Sequence, residues 1–284
     1  MFKTISKTIK WIGEHFKGLL FLFILAFVFM PKSKTQLTTP NLQEIKLFGA
    51  ITDATKIVKE IEEAQNSLNI KGVLLNVNSP GGSVPPSIEI AYAIKELQKH
   101  KPVIAYASGI MASGSYYSSI YANKIIANPG SIIGSIGVIM QSADISELMK
   151  SVGVKTQIVK QGIYKEAGTL TREWTQEERD ELEQLTKDTY NLFIKDVAKA
   201  RGLDINTSNS YANAHIFSSK RAKEVGLIDT IGVKVEAKNM LIKEANITKA
   251  VWKQKDKLDS FIDKLEAKST LEIQNYFYGL KAML

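Results

Sequence analysis

The chain has 284 residues, 37 Lys and Arg against 29 Asp and Glu, a formal charge of +8, three histidines and no cysteine. Without cysteine there is no disulfide, thiolate metal site, iron–sulfur cluster or cysteine nucleophile, and three scattered histidines (His15, His100 and His215) argue against a multi-histidine metal site. A hydrophobic content of 44% with 23% charged residues excludes wholesale disorder, and the length suits one large domain or two small ones.

The charge is unevenly distributed. Residues 1–34 carry six lysines against Glu14, residues 234–284 carry ten lysines against seven acids, and residues 35–233 balance at 21 of each sign. A nucleic-acid-binding domain presents a basic excess, which the central region lacks, so no nucleic-acid partner is expected.

In chain order, the first feature is an uncharged apolar run of 13 residues, 18–30, extended on its N-terminal side by Trp11, Ile12 and Phe16. A bilayer span needs roughly 20 residues, with snorkelling lysines and interfacial tryptophan helping a shorter run. The run ends Phe27-Val-Phe-Met-Pro31 without an Ala-x-Ala cleavage pattern, which favours an uncleaved anchor over a removed signal peptide. Lys3, Lys7, Lys10 and Lys17 outnumber Lys32 and Lys34, so the N-terminus is expected in the cytoplasm and the rest of the chain outside it. Residues 1–34 are thus read as tail and anchor, 35–44 as a linker, 45–233 as the main domain and 234–284 as a helical extension.

Within the main domain the pattern predicts a strand at 45–51 and a helix at 54–67 with Asp53 as its cap. A buried strand at 72–77 runs into Asn78-Ser-Pro-Gly-Gly82. A helix at 86–99, a strand at 102–107, a helix of small residues at 112–121 and a short strand at 124–127 follow. Beyond a glycine-rich stretch to Gly137, a helix near 145–152 and a strand at 155–159 are expected. A long charged helix spans 175–201, where Thr175 and Glu178 form a capping box, and a short helix at 218–224 closes the series. Strands alternating with helices predict an α/β domain with mainly parallel pairing. In the extension, Leu258, Phe261, Ile262 and Leu265 form one apolar stripe and Ile273, Tyr276, Phe277 and Leu280 another, suited to packing on the core or on a neighbouring subunit.

Chemistry is expected where strands end in small residues, at 78–82 and at Ser108-Gly-Ile-Met-Ala-Ser-Gly-Ser115. No Gly-Lys-[Ser/Thr] follows either stretch, no Gly-x-Ser-x-Gly elbow occurs and no dinucleotide fingerprint is present. What remains is an oxyanion hole with a serine nucleophile. Ser113 sits at the expected start of a helix, whose dipole favours developing negative charge. Its base could be His215, the only plausible histidine, or a lysine. Lys165, in Gly162-Ile-Tyr-Lys-Glu-Ala-Gly168, is the best lysine candidate. A lysine works as a base only when uncharged, which burial away from carboxylates favours.

Six short motifs then occur in a telling order: Asn78-Ser-Pro-Gly-Gly82, Met111-Ala-Ser-Gly-Ser-Tyr-Tyr117, Ala127-Asn-Pro-Gly130, Gly134-Ser-Ile-Gly-Val138, Tyr164-Lys165 and Gly226-Leu-Ile-Asp229. In them the chain resembles the bacterial signal peptide peptidase A family, membrane-anchored serine/lysine peptidases of the Clp-protease/crotonase superfamily. The resemblance covers about residues 45–232 and implies a ββα superhelix behind the N-terminal membrane helix. By motif position it implies Ser113 as nucleophile, Lys165 as general base, Ser135 as the residue orienting that lysine, and the amides of Gly82 and Gly114 as oxyanion hole. No cofactor or metal is implied. The implied partners are peptides, remnant signal peptides among them, the inner membrane and further copies of the chain in a ring, across which Lys165 could serve a neighbour's Ser113. Ser115, where many relatives have glycine, places a second hydroxyl beside the nucleophile. A crotonase-like acyl-CoA enzyme and a non-catalytic membrane scaffold are the competing readings.

Overall fold

The computed structural model describes Trp11, residues 15–18, residues 20–22 and residues 39–254. The chain divides into two units, Met1–Thr39 and Pro40–Leu284. In the first, Trp11, residues 15–18 and residues 20–22 are helical, and Trp11, Phe16, Leu20, Phe21 and Leu22 are all exposed. Among the described residues no helix is long and apolar enough to cross a membrane. Most of the 18–30 run and both apolar stripes beyond residue 257 lie outside the described residues.

The second unit is built on a sheet of seven strands, with β1 at Leu42–Phe48, β2 at Gly72–Ser79, β3 at Val103–Ala112, β4 at Lys124–Ala127 and β7 at Thr230–Ile231 side by side and parallel. β2 is apolar on both faces because both faces are covered, the usual pattern of a central parallel strand. On one face pack helices α1 (Thr55–Asn66), α2 (Val84–Leu97), α3 (Gly114–Ser119) and the C-terminal half of the long α5 (Gln176–Arg201). Fully buried Ile45, Ile61, Leu75, Ile90 and Ile94 are central to that layer, each side chain worth about 1.5–3 kcal/mol of burial. On the other face, Leu42, Leu74, Ile104 and Ile126 are covered by Ala237 and Leu241 of α7 (Lys234–Glu244), with Trp252 packed alongside.

Two features carry the chain toward the site. β3 pairs along one edge first with β4 and then, beyond residue 109, with β5 (Ile132–Gly134), to which β6 (Ile216–Ser218) is antiparallel. Between these pairings β3 bulges against β2, because Val77 pairs with Ala107 but Ser79 with Met111. Asn78 holds the bulge, its Oδ1 accepting from Ile110 N at 3.0 Å and lying 2.4 Å from where a Cβ on residue 109 would be, so only glycine fits there.

Differences from the sequence reading have local causes. β1 starts at Leu42, inside the stretch read as linker, and Asn41 and Leu42 bond to Val251. β5, β6 and β7 are too short, at three, three and two residues, to show a period of their own. The strand expected at 155–159 is absent. Those residues are exposed and pair with no other strand, and β-branched residues such as Thr156, Ile158 and Val159 do not make a strand without a partner edge. The capping box on α5 is present as expected, Thr175 and Glu178 bonding reciprocally, and Gly202 ends that helix at φ +65°. Helix α4 (Ser146–Ser151) lies in a long connection, 138–172, that contains no strand.

Candidate active site

Strand β3 ends at Ala112 and α3 begins at Gly114, so Ser113 alone makes the turn, at φ +53° and ψ −124°. A residue other than glycine pays for this left-handed conformation, typically about 1–3 kcal/mol, and here the surroundings fix it. Ser113 N–H donates to Gly134 O at 2.8 Å, and Ser113 O accepts from Tyr117 N at 3.0 Å. The half-buried Ser113 hydroxyl takes part in no hydrogen bond among the described residues.

The turn after β2 packs backbone to backbone against this junction. A Cβ on residue 81 would lie 2.6 Å from Gly114 N and 2.9 Å from Ser113 Cβ, and one on residue 82 would lie 2.2 Å from Ile51 O. The Gly81 amide is used, donating to Ser79 Oγ at 3.2 Å. The Gly82 amide donates in none of the turn and loop bonds of the described residues, and its nitrogen is 3.3 Å from where a Cβ on residue 114 would be. The Gly114 amide is the first of its helix and has no acceptor within it. Two neighbouring N–H groups beside a serine can receive an oxyanion.

Ser115 is fully buried, its hydroxyl held by Ala112 N at 2.9 Å and by Ser79 O at 2.6 Å. It ties the two turns together and has no access to a substrate. Ser135 follows β5 directly, as Ser113 follows β3, and Ala112 pairs with Gly134, so the two serines leave adjacent strands at the same level. Ser135 also has a positive φ, +49°, and its N–H donates to His215 O at 2.7 Å. His215 thus contributes its carbonyl, while its ring is 6.0 Å from that of Phe217.

Lys165 is placed differently. It is exposed, in a 3₁₀ turn at Ile163–Glu166, and among the described residues its side chain makes no hydrogen bond or ion pair. The burial expected of a lysine base is absent in the single chain. Its neighbour Glu166 is engaged elsewhere, by Lys160 and by Arg172 at 3.1 Å. Arg172 also grips the buried Glu178 at 2.7 and 2.8 Å. This grip, reinforced by the Thr175 amide, holds the Glu178 carboxyl at about 2, below its ordinary 4.5. A depressed carboxyl stabilises the fold above its unfolded value and loses that contribution as the pH falls through the folded one. Hydrogen exchange in residues 160–172, corrected for intrinsic rates, is therefore expected to accelerate between pH 4.5 and about 2, before exchange in the sheet does. Arg172→Met should show the same acceleration at neutral pH.

Beside Ser113 opens a small cleft of about 20 Å³ lined chiefly by apolar groups, with Val84 and Ile88 of α2, Tyr117 of α3, Val138, and Leu192 and Phe193 of α5. Of its polar members, Ser87 Oγ donates to Ser83 O and Thr189 Oγ1 to Leu185 O, while the Ser113 hydroxyl is left unbonded. Sequence reasoning picked out neither the contribution of α5 to this wall nor the role of Asn78. For α5 the signal was Thr189, Leu192, Phe193 and Asp196 at helical spacing.

The family model described as peptidase family S49 matches residues 95–248. A curated protein of Methanocaldococcus jannaschii, named as a protease, is 40% identical over 196 residues, which is 69% of this chain and 63% of that one. A protein of Enterococcus faecium, named for signal peptide peptidase SppA, is 34% identical over 192 residues, 67% of this chain and 56% of that one. The chain thus spans less than two thirds of the length of both relatives. Among solved structures, a mutant of the membrane-bound stomatin-specific protease 1510-N shares the fold, with a TM-score of 0.51 at 14% identity over 78% of this chain and all of that one. By the family match over more than half its length, this chain belongs to peptidase family S49, the relatives of which include one named for signal peptide peptidase SppA.

Proposed function

We propose that the chain is a serine endopeptidase in which Ser113 attacks a peptide carbonyl and the amides of Gly82 and Gly114 hold the resulting oxyanion. The observation that carries this reading is the Ser113 turn: an unbonded hydroxyl on a left-handed residue between strand and helix, with two amides next to it. Neutral Lys165 takes the Ser113 proton and passes it to the leaving amine as the acyl-enzyme forms. Water then attacks the ester, gives its proton to the same lysine, and releases the acid and free Ser113. Ser135 orients the lysine. The cleft beside Ser113 suits an apolar side chain of an extended substrate strand, so remnant signal peptides and other hydrophobic peptides near the membrane are the proposed class.

Lys165 is proposed to reach Ser113 from a neighbouring subunit of a ring. Support comes from the 138–172 connection, which in the single chain leaves Ile139 82%, Val159 100% and Ile163 70% exposed, a run of apolar surface suited to a second copy. Burial there would also remove Lys165 from water while Glu166 stays paired with Lys160 and Arg172. The N-terminal run is proposed to anchor the protein in the bacterial inner membrane, N-terminus inside and peptidase outside.

A fluorophosphonate probe followed by peptide mapping tests the core of this reading. Label is expected on Ser113 and not on Ser115 or Ser135. An unlabelled wild-type protein would leave the scaffold reading in its place.

A further inference from the structure

One buried acid has no part in the mechanism above. Asp196, on the inner face of α5, is 8% exposed, and its Oδ2 accepts from the hydroxyl of Tyr117, itself 3% exposed. Tyr117 lines the cleft beside Ser113, and its amide bonds the Ser113 carbonyl at 3.0 Å. Its ring packs against Phe193, with centroids 4.7 Å apart, and Phe193 lies three residues before Asp196 on the same helix. One tyrosine therefore touches the nucleophile through its backbone, the cleft through its ring, and α5 through its hydroxyl.

We infer that Asp196 is a positioning residue that fixes the Tyr117 ring as the end wall of the apolar cleft, and so sets the size of side chain accepted next to the scissile bond. The inference rests on Ser113 being the nucleophile. A buried phenol must find an acceptor, and of the places its ring could take, only one puts the hydroxyl on the Asp196 carboxylate. The bond is thus a rotamer lock. Burial, and secondarily this bond, push the Tyr117 hydroxyl well above the usual tyrosine range, so at neutral pH it keeps the proton it donates. Without the carboxylate, the ring can retreat into the space vacated between α3 and α5, and the cleft deepens.

The test uses the full chain in detergent micelles and three peptidyl-aminocoumarin substrates that differ only in having Ala, Leu or Phe before the scissile bond. For Asp196→Ala, kcat/KM for the Phe substrate relative to the Ala substrate is expected to rise about tenfold, mainly through KM, the scale on which pockets discriminate apolar groups. Asp196→Asn retains an acceptor oxygen and should retain the wild-type ratio, whereas Tyr117→Phe retains the ring without its hydroxyl and should move the ratio as Asp196→Ala does. Should Asp196→Ala fail to fold, the contrast between Tyr117→Phe and Asp196→Asn decides. An unchanged ratio in Tyr117→Phe, or the same altered ratio in Asp196→Asn, overturns the inference. Fluorophosphonate labelling of Ser113 in each protein separates the two levels. A wild-type chain that fails to label refutes the nucleophile, while labelled variants with the wild-type ratio refute only the role of Asp196.

Discussion

Ser113→Ala is expected to abolish fluorophosphonate labelling and to lower peptide hydrolysis by at least about a thousandfold, because removing an acyl-forming nucleophile leaves only binding and oxyanion stabilisation. Stability should change little. The Ser113 hydroxyl gives up no hydrogen bond of the described residues, and alanine at φ +53° is strained no more than serine. Ser115→Ala is the contrasting control. Its hydroxyl bonds Ala112 N and Ser79 O in a fully buried position, so its loss should cost about 1–3 kcal/mol, read as a lower urea midpoint. A Ser113→Ala protein that still hydrolyses peptide at the wild-type rate would dismiss the proposed nucleophile.

The second large effect concerns Lys165. Lys165→Met, which keeps the length of the side chain and removes its amine, should lose activity by roughly a hundredfold to ten-thousandfold, the range of general-base catalysis. Because Lys165 is exposed and unpartnered among the described residues of the single chain, the informative experiment mixes two inactive proteins. When Ser113→Ala and Lys165→Met chains are co-expressed in equal amounts, a head-to-tail ring assembles some sites from one intact serine and one intact lysine. Random mixing then restores about a quarter of wild-type activity. If each variant is inactive and the mixture stays inactive, serine and lysine belong to one chain. If Lys165→Met is fully active, the base is another group.

The legibility of this protein in its sequence follows from how local each feature is. β2 could be placed from its apolar run and α2 from its apolar face, and the start of α5 from the Thr175–Glu178 cap, which is written within four residues. Gly82 and Gly114 came only with the family resemblance, whereas Ser113 was within reach as a candidate because it lies among small residues at a strand end. The bulge at Gly109 was not, since it depends on Asn78, a residue on another strand. That the Gly81 amide is taken by Ser79 Oγ while the Gly82 amide is left free of turn bonds likewise depends on the packing of the two turns. Ser115 changed from a rival nucleophile to a tie between two turns for the same reason. The pattern at 155–159 promised a strand whose partner does not exist within the described residues, and Lys165 shares that connection. Both are features whose meaning lies in what surrounds them rather than in their own sequence.

The left-handed turn at Ser113 has a consequence for how the protein can change. Glycine would adopt φ +53° without the steric cost that serine bears, so backbone preference and chemistry favour different residues at the same position. Screens that reward heat resistance alone will drift toward sequences that have discarded the proposed nucleophile. The fold retains a residue it would rather exchange, and on the proposed function any stabilising programme for this protein has to hold position 113 constant and seek its gains in the sheet and the outer helices.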